Sequence, residues 1–208
     1  MKFIKTIVDL INFAIDKGEA GYYSPTEIVA QVNYVVLEMF NDFIGEYPKN
    51  KENSKYLDPF KSKIPLKATG GTVSIAHITW EKQLFGVSEN NAIIPILELD
   101  EFYNRVNSAA LPPSEAYPIA SIEADKILIR PGDIKFTFHY IKRPTNAVYA
   151  FTMDGDKYVY DDAKSIDVEF TTTLHPRIRD RVLKGLGINL RDGTLVQFSN
   201  IQQQLEPR

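Results

Sequence analysis

Arg177, Arg181 and Lys184 follow one another at intervals of four and three residues, which places three cations along one side of a helix. The chemistry open to such a row is attraction of an anion, and a solvated helix face shows the same pattern. Charge of the opposite sign lies upstream. Asp154, Asp156, Asp161 and Asp162 belong to a stretch running to Glu169 that holds six acidic and two basic residues. A carboxylate cluster suits a cation, but this one lacks the spacing and terminal glutamate of an EF-hand loop. A turn accounts for Asp154 and Asp156, and a loop after a strand accounts for Asp161 and Asp162. Two patches of unlike sign also suit a contact between subunits, where charge sets encounter rate and register more than affinity. Lys142 and Arg143, before Pro144 at a strand end, have the same two readings. These nine residues form the candidate interface set.

Catalytic chemistry has weaker footing. His77, His139 and His175 are far apart, and none belongs to a paired ligand motif. The chain has no cysteine, which rules out disulfides, thiolate metal sites and cysteine nucleophiles. There is no G-x-S-x-G elbow and no phosphate-cradling glycine loop, and Gly70-Gly71 reads as a turn. The expectation is a non-enzymatic protein without cofactor or metal.

The elements that must carry these residues follow from periodicity. Ile4, Ile7, Val8, Ile11 and Ile15 predict an N-terminal helix with one apolar face, ended by Gly18 and Gly21. Ser24, Pro25 and Glu27 form a helix start with a capping box. Val29, Val32, Val36, Phe40 and Phe43 then form a stripe that runs to about Tyr47, and Lys49 to Lys55 reads as a solvated loop. From about Lys61 the pattern becomes extended. Ile134, Phe136, Phe138 and Tyr140 alternate with polar residues, as do Ile166, Val168 and Phe170. Ile127 and Ile129 mark a further strand, and Asp154-Gly155 marks a tight hairpin between Val148–Met153 and Lys157–Tyr160. A short helix falls near Asp100 to Asn107. Two helices close the chain, one with the stripe Ile178, Val182 and Leu186, the other from Arg191 to Leu205.

The 208 residues, 44% hydrophobic and 25% charged, suit a folded protein with a sizeable core. The net charge of −3 argues against a bulk electrostatic grip on nucleic acid but leaves room for a local basic patch. The apolar run from Phe3 to Ile15 contains Lys5, Asp9 and Asn12, so it is too short and polar to span a membrane. The expected fold is α+β: a helical bundle from residues 1–60 and 174–208, with a β-rich domain at 61–173 between its halves.

Several stretches, in order, resemble a family of head–tail connector (ring or adaptor) proteins of tailed phages of Bacteroidetes, crAss-like phages included. They are SPTEIVAQVNYVVLEMFNDFIGEY from Ser24, YLDPF from Tyr56 and EFYNRVNSAALPPSEAYPIA from Glu101. ILIRPGDIKFTFHYIKRPTNAVYAF from Ile127, YDDAKSIDVEF from Tyr160 and LHPRIRDRVLKGLGINLRDGTLVQFSNIQQQ from Leu174 complete the set, which covers over half of the chain. The family pattern carries a second proline and a tryptophan after Arg143-Pro144, where this chain has Ala147 and Tyr149. The resemblance implies a virion structural protein, assembled in the host cytoplasm as a ring of twelve copies below the portal. It implies contact with the portal protein and with other connector or tail rings, and a channel that passes genomic DNA without sequence-specific binding or any membrane. It implies no catalytic or cofactor residues. Alternatives are another virion subunit (a tail-completion or minor head protein), a ligand-binding β module with helical flanks, and a hydrolase or metalloenzyme.

Overall fold

The structure, a computed structural model, describes residues 2–18, 23–89, 91–155 and 157–188. The chain divides into two compact units. One comprises Met1–Pro59 with Pro144–Arg208, and the other comprises Phe60–Arg143.

The first unit begins with α1 (Phe3–Gly18), whose Ile4, Ile7, Val8 and Ile11 are buried. The side chain of Ile15 lies outside the described residues. Helix α2 (Pro25–Glu46) starts as its sequence demands. Ser24 Oγ accepts from the Glu27 backbone N–H, and the Glu27 carboxylate accepts from the Ser24 N–H at 2.8 Å. Its buried stripe runs Ile28, Val32, Val36, Phe40 and Phe43, so Ile28 rather than Val29 leads it. The run read as a loop folds instead as α3 (Lys51–Tyr56), because Asn50 Oδ1 accepts from the N–H groups of Glu52 and Asn53. No side chain of α3 is buried, which is why periodicity missed it.

Residues 144–173, assigned by sequence to the β domain, belong to this first unit. They are tied to its helices by hydrogen bonds. Asn33 on α2 acts as a surrogate peptide, accepting from Ala147 N–H at 2.8 Å and donating to Ala147 C=O at 3.1 Å. Strands β9 (Phe151–Asp154) and β10 (Lys157–Tyr160) pair as an antiparallel hairpin, with Gly155 at φ +59° in its turn. The alternating run Ile166 to Phe170 makes one bridge, Ile166 to Val148, and no strand. Its Val168 and Phe170 are buried and its Asp167 turns to the start of α1. Helix α5 (His175–Gly185) buries Ile178, Val182 and Leu183, and packs on α2. The helix expected over 191–205 lies outside the described residues.

The expected bundle of N- and C-terminal helices carrying a β insertion is therefore overturned. The described fold is α+β with five helices and three sheets, and its terminal unit is itself mixed. The period of an apolar stripe tells that a face must be covered, not what covers it. Here α2 receives Tyr56 and Phe170 on Phe43 as well as α5, with ring centroids 5.2 and 5.9 Å away.

Replacing Asn33 by Asp tests the surrogate peptide. An aspartate keeps the acceptor for Ala147 N–H but meets the Ala147 carbonyl with a second oxygen in place of the donor. Ala147 is 3% exposed. The expected loss is about 1–3 kcal/mol by chemical denaturation, the range for a buried polar group left without its partner.

The second unit contains two four-stranded sheets. One has the order β1 (Lys61–Lys67), β8 (Lys135–Lys142), β3 (Trp80–Ser88) and β4 (Ile93–Ile94), all antiparallel. The other has the order β2 (Thr72–Ser74), β7 (Lys126–Arg130), β6 (Ile119–Glu123) and β5 (Ile96–Leu97), with β5 and β6 parallel. Helix α4 (Leu99–Val106) buries Phe102 and contacts β6. Phe136 and Phe138 from one sheet and Ile127 and Ile129 from the other share one buried core. Gly86 permits close approach inside it, since a Cβ there would meet Ile94 and Phe136 at 3.2 Å.

Candidate interface residues

The three cations of α5 stand on one helix, but their surroundings differ. Arg181 Nη1 reaches Glu38 Oε1 at 3.2 Å and Asp42 Oδ2 at 3.3 Å, both on α2. Most of its charge is thus met within the unit. Arg177 lies over the Phe43 ring at 5.6 Å, a cation–π contact that also seals the end of the α2 stripe. Lys184 is exposed. Neighbouring Arg179 pairs with Asp180 at 2.7 Å. The row therefore offers an outside partner Lys184 and the exposed edge of Arg177, a weaker field than three free cations would make.

The acidic residues are likewise partly spoken for. Asp161 Oδ1 accepts from Ala163 N–H and Lys164 N–H, and its other oxygen meets Lys164 Nζ at 3.1 Å. Those bonds to Lys164 hold its carboxyl below the ordinary range. Asp162 accepts from the Tyr160 hydroxyl at 3.2 Å and lies 3.8 Å from Lys2. Asp154 is exposed at the hairpin turn, and Asp156 lies outside the described residues. Lys142 is half-buried, and Arg143 reaches Glu81 at 3.6 Å, both within the second unit.

Sequence reading missed Asp167. Its carboxylate accepts from the backbone N–H groups of Phe3 at 2.8 Å, Ile4 at 2.9 Å and Val168 at 2.9 Å. It caps α1 from 163 residues away along the chain, so no local spacing announces it. Tyr160, Tyr149, Phe151 and Tyr158 also gather at the hairpin, with successive centroids 4.8 to 6.1 Å apart. Burial, with the charges of Asp9 and Tyr160, pushes the Tyr149 hydroxyl up to about 12. Tyr23, just before the α2 cap, donates to the Leu186 carbonyl at 2.9 Å, a contact inside the unit.

Two of the three histidines play packing roles. His139 stacks on Phe85 at 4.8 Å, and His175 stacks on Phe3 at 4.0 Å with Nε2 3.2 Å from the Phe170 carbonyl. His77 is exposed. Among the described residues no three metal-ligating side chains converge, and no helix is long and apolar enough to cross a membrane. Two clefts of about 270 and 300 Å³ lie in the second unit and share Lys67, Ser88, Glu89 and Lys135. Both open to solvent.

Burial lowers the His175 pKa, against the opposing pull of the Phe170 carbonyl and the Asp167 charge. His139 is lowered too, by burial and by Lys63. An unfolded histidine takes its proton near pH 6.5. The unfolded state therefore binds more protons than the native state just below that value. Stability is full above about pH 6.5 and falls as pH drops towards the folded values. Urea midpoints between pH 8 and pH 5 check this, and replacing His175 by Phe should flatten the slope.

No protein-family model matches the chain, and no curated protein matches it either.

Proposed function

We propose that this chain is a subunit of a ring in the head–tail connector of a tailed phage, seated below the portal, joining capsid to tail and lining the DNA channel. The resemblance of its ordered stretches supports this reading. The observation that carries it is the β9–β10 hairpin. This is a two-stranded sheet whose tip and base leave Met153, Val159, Val148 and Ile166 40–58% exposed, with Asp154 at the turn. A two-stranded ribbon with open edges and exposed apolar side chains is suited to being covered by another chain.

A head-to-tail contact needs two unlike patches on each copy, and it closes into a ring when the rotation closes. The hairpin is one patch, and the α5 face with Arg177 and Lys184 is the other. A standard specific interface buries about 1,600 Å² in total, which is within reach of a chain this size. The partners are further copies of the chain, twelve in the ring, the portal protein, and adjoining connector or tail rings. The place of action is the virion.

Native mass spectrometry and sedimentation, on the chain alone and mixed with its portal protein, test the reading. The expected result is a closed species of twelve copies, alone at high concentration or on the portal. Replacing Met153 and Val159 together by Asp should abolish assembly while circular dichroism stays unchanged. Failure to associate under every condition would overturn it.

A further inference from the structure

The register of the β1–β8–β3 sheet assembles a face that the sequence does not display. Directly paired residues in antiparallel strands share a face. Lys63, His139 and Phe85 therefore form one row across three strands, and Pro65, Thr137 and Val87 form the next. Lys67 and Lys135 form a third row, which Glu89 joins through a 3.1 Å pair with Lys135. The alternate residues Phe136 and Phe138 point into the core, so these rows lie on the opposite side. Lys63, Lys67 and Lys135 are exposed, as is Lys61 at the start of the same alternation in β1. Lysines thus outnumber acids along these rows, although Glu89, Glu115 and Asp133 stand with Lys67 and Lys135 around the adjoining 270 Å³ cleft.

Two further features share this face. The 300 Å³ cleft lies along Pro65, Lys67, Val87, Glu89, Lys135 and Thr137, so its floor is largely apolar and its edge carries two lysines and the glutamate paired with Lys135. Beside it stand the stacked rings of Phe85 and His139, with Phe85 38% exposed. An acidic peptide would use the lysines but has no need of the rings or the apolar floor. A duplex would meet the lysines while keeping its bases stacked inside.

We infer that the outer face of the β1–β8–β3 sheet binds single-stranded nucleic acid without sequence preference, its phosphates on Lys63, Lys67 and Lys135 and a base on the Phe85 ring. Lysines that track a backbone beside an aromatic platform are how sequence-tolerant single-strand sites work. The lysines on β1 at positions 63 and 67 lie about 13 Å apart along the strand, so one stretch of extended chain spans both. This inference does not rest on the connector reading and stands if the chain fails to form rings.

Fluorescence anisotropy of a labelled oligothymidylate with the full chain at low salt tests it. Three phosphate contacts give a log–log salt slope of about −2. The Lys63→Glu, Lys67→Glu double variant should weaken binding at least about tenfold and flatten that slope. Phe85→Ala should weaken it several-fold with the slope kept, and Phe85→Tyr should restore it. Lys126→Glu, on the other sheet, should change little. Four outcomes would each overturn the inference: no binding at low salt, an equal loss in Lys126→Glu, duplex bound as tightly as the single strand, or phosphatidylserine vesicles bound in place of the oligonucleotide.

Discussion

Phe138→Ala is expected to destabilise the β unit by about 3–5 kcal/mol, the range for truncating a buried phenylalanine. Phe138 is fully buried on β8, the strand flanked by β1 and β3. Its ring stacks at 5.5 Å on Tyr140, and the register sets it between Ile64 and Gly86. Gly86 has no side chain to move into the space left behind, so the void persists and adds its own cost. Whole domains are stable by only about 5–15 kcal/mol, so this one change consumes a large share. Trp80, the single tryptophan, packs against the same core and reports its unfolding. With a urea slope of about 2 kcal/mol/M, the Trp80 emission midpoint should fall by about 2 M. A shift below about 0.5 M would mean that the two sheets do not depend on this ring.

Asp167→Ala is expected to cost about 2–4 kcal/mol. Three backbone donors lose one carboxylate, and hydrogen bonds to a charged group are worth about 1.5–3 kcal/mol. Ile4 is fully buried, so water cannot readily replace the partner of its N–H. The first N–H groups of a helix have no partner within it, and a negative charge there also meets the positive end of the helix dipole. Asp167→Asn keeps an acceptor oxygen without the charge, and should lose about half as much. Denaturation at pH 7 measures both. Limited proteolysis should then cut within α1 in the alanine variant first, since the cap holds α1 against the segment Ser165 to Phe170. Equal stability of Asp167→Ala and the parent chain would sink the capping assignment.

The candidate interface was legible as residue types and less so as free charge. The row of Arg177, Arg181 and Lys184 does share one helix. Yet Arg181 is drawn to Glu38 and Asp42, which lie well over a hundred residues away in the chain. Spacing along a helix tells which side chains are neighbours on it, and says nothing of charges brought by another helix. Asp162 shows the same limit through Lys2, whereas the Lys164 partner of Asp161 is local in sequence.

What this sequence determined by itself is everything that depends on neighbours a few residues apart. The Ser24–Glu27 capping box, the α1 and α2 stripes, the Gly155 turn and the alternation of Phe136 and Phe138 follow from local geometry. Tertiary structure alone decided what covers each stripe. It placed residues 144–173 with the helices, set Asp167 on the start of α1, and paired β1, β8 and β3 so that scattered lysines and Phe85 share a face. The reason is that burial and hydrogen bonding demand a partner without naming it, and only the folded register makes the choice.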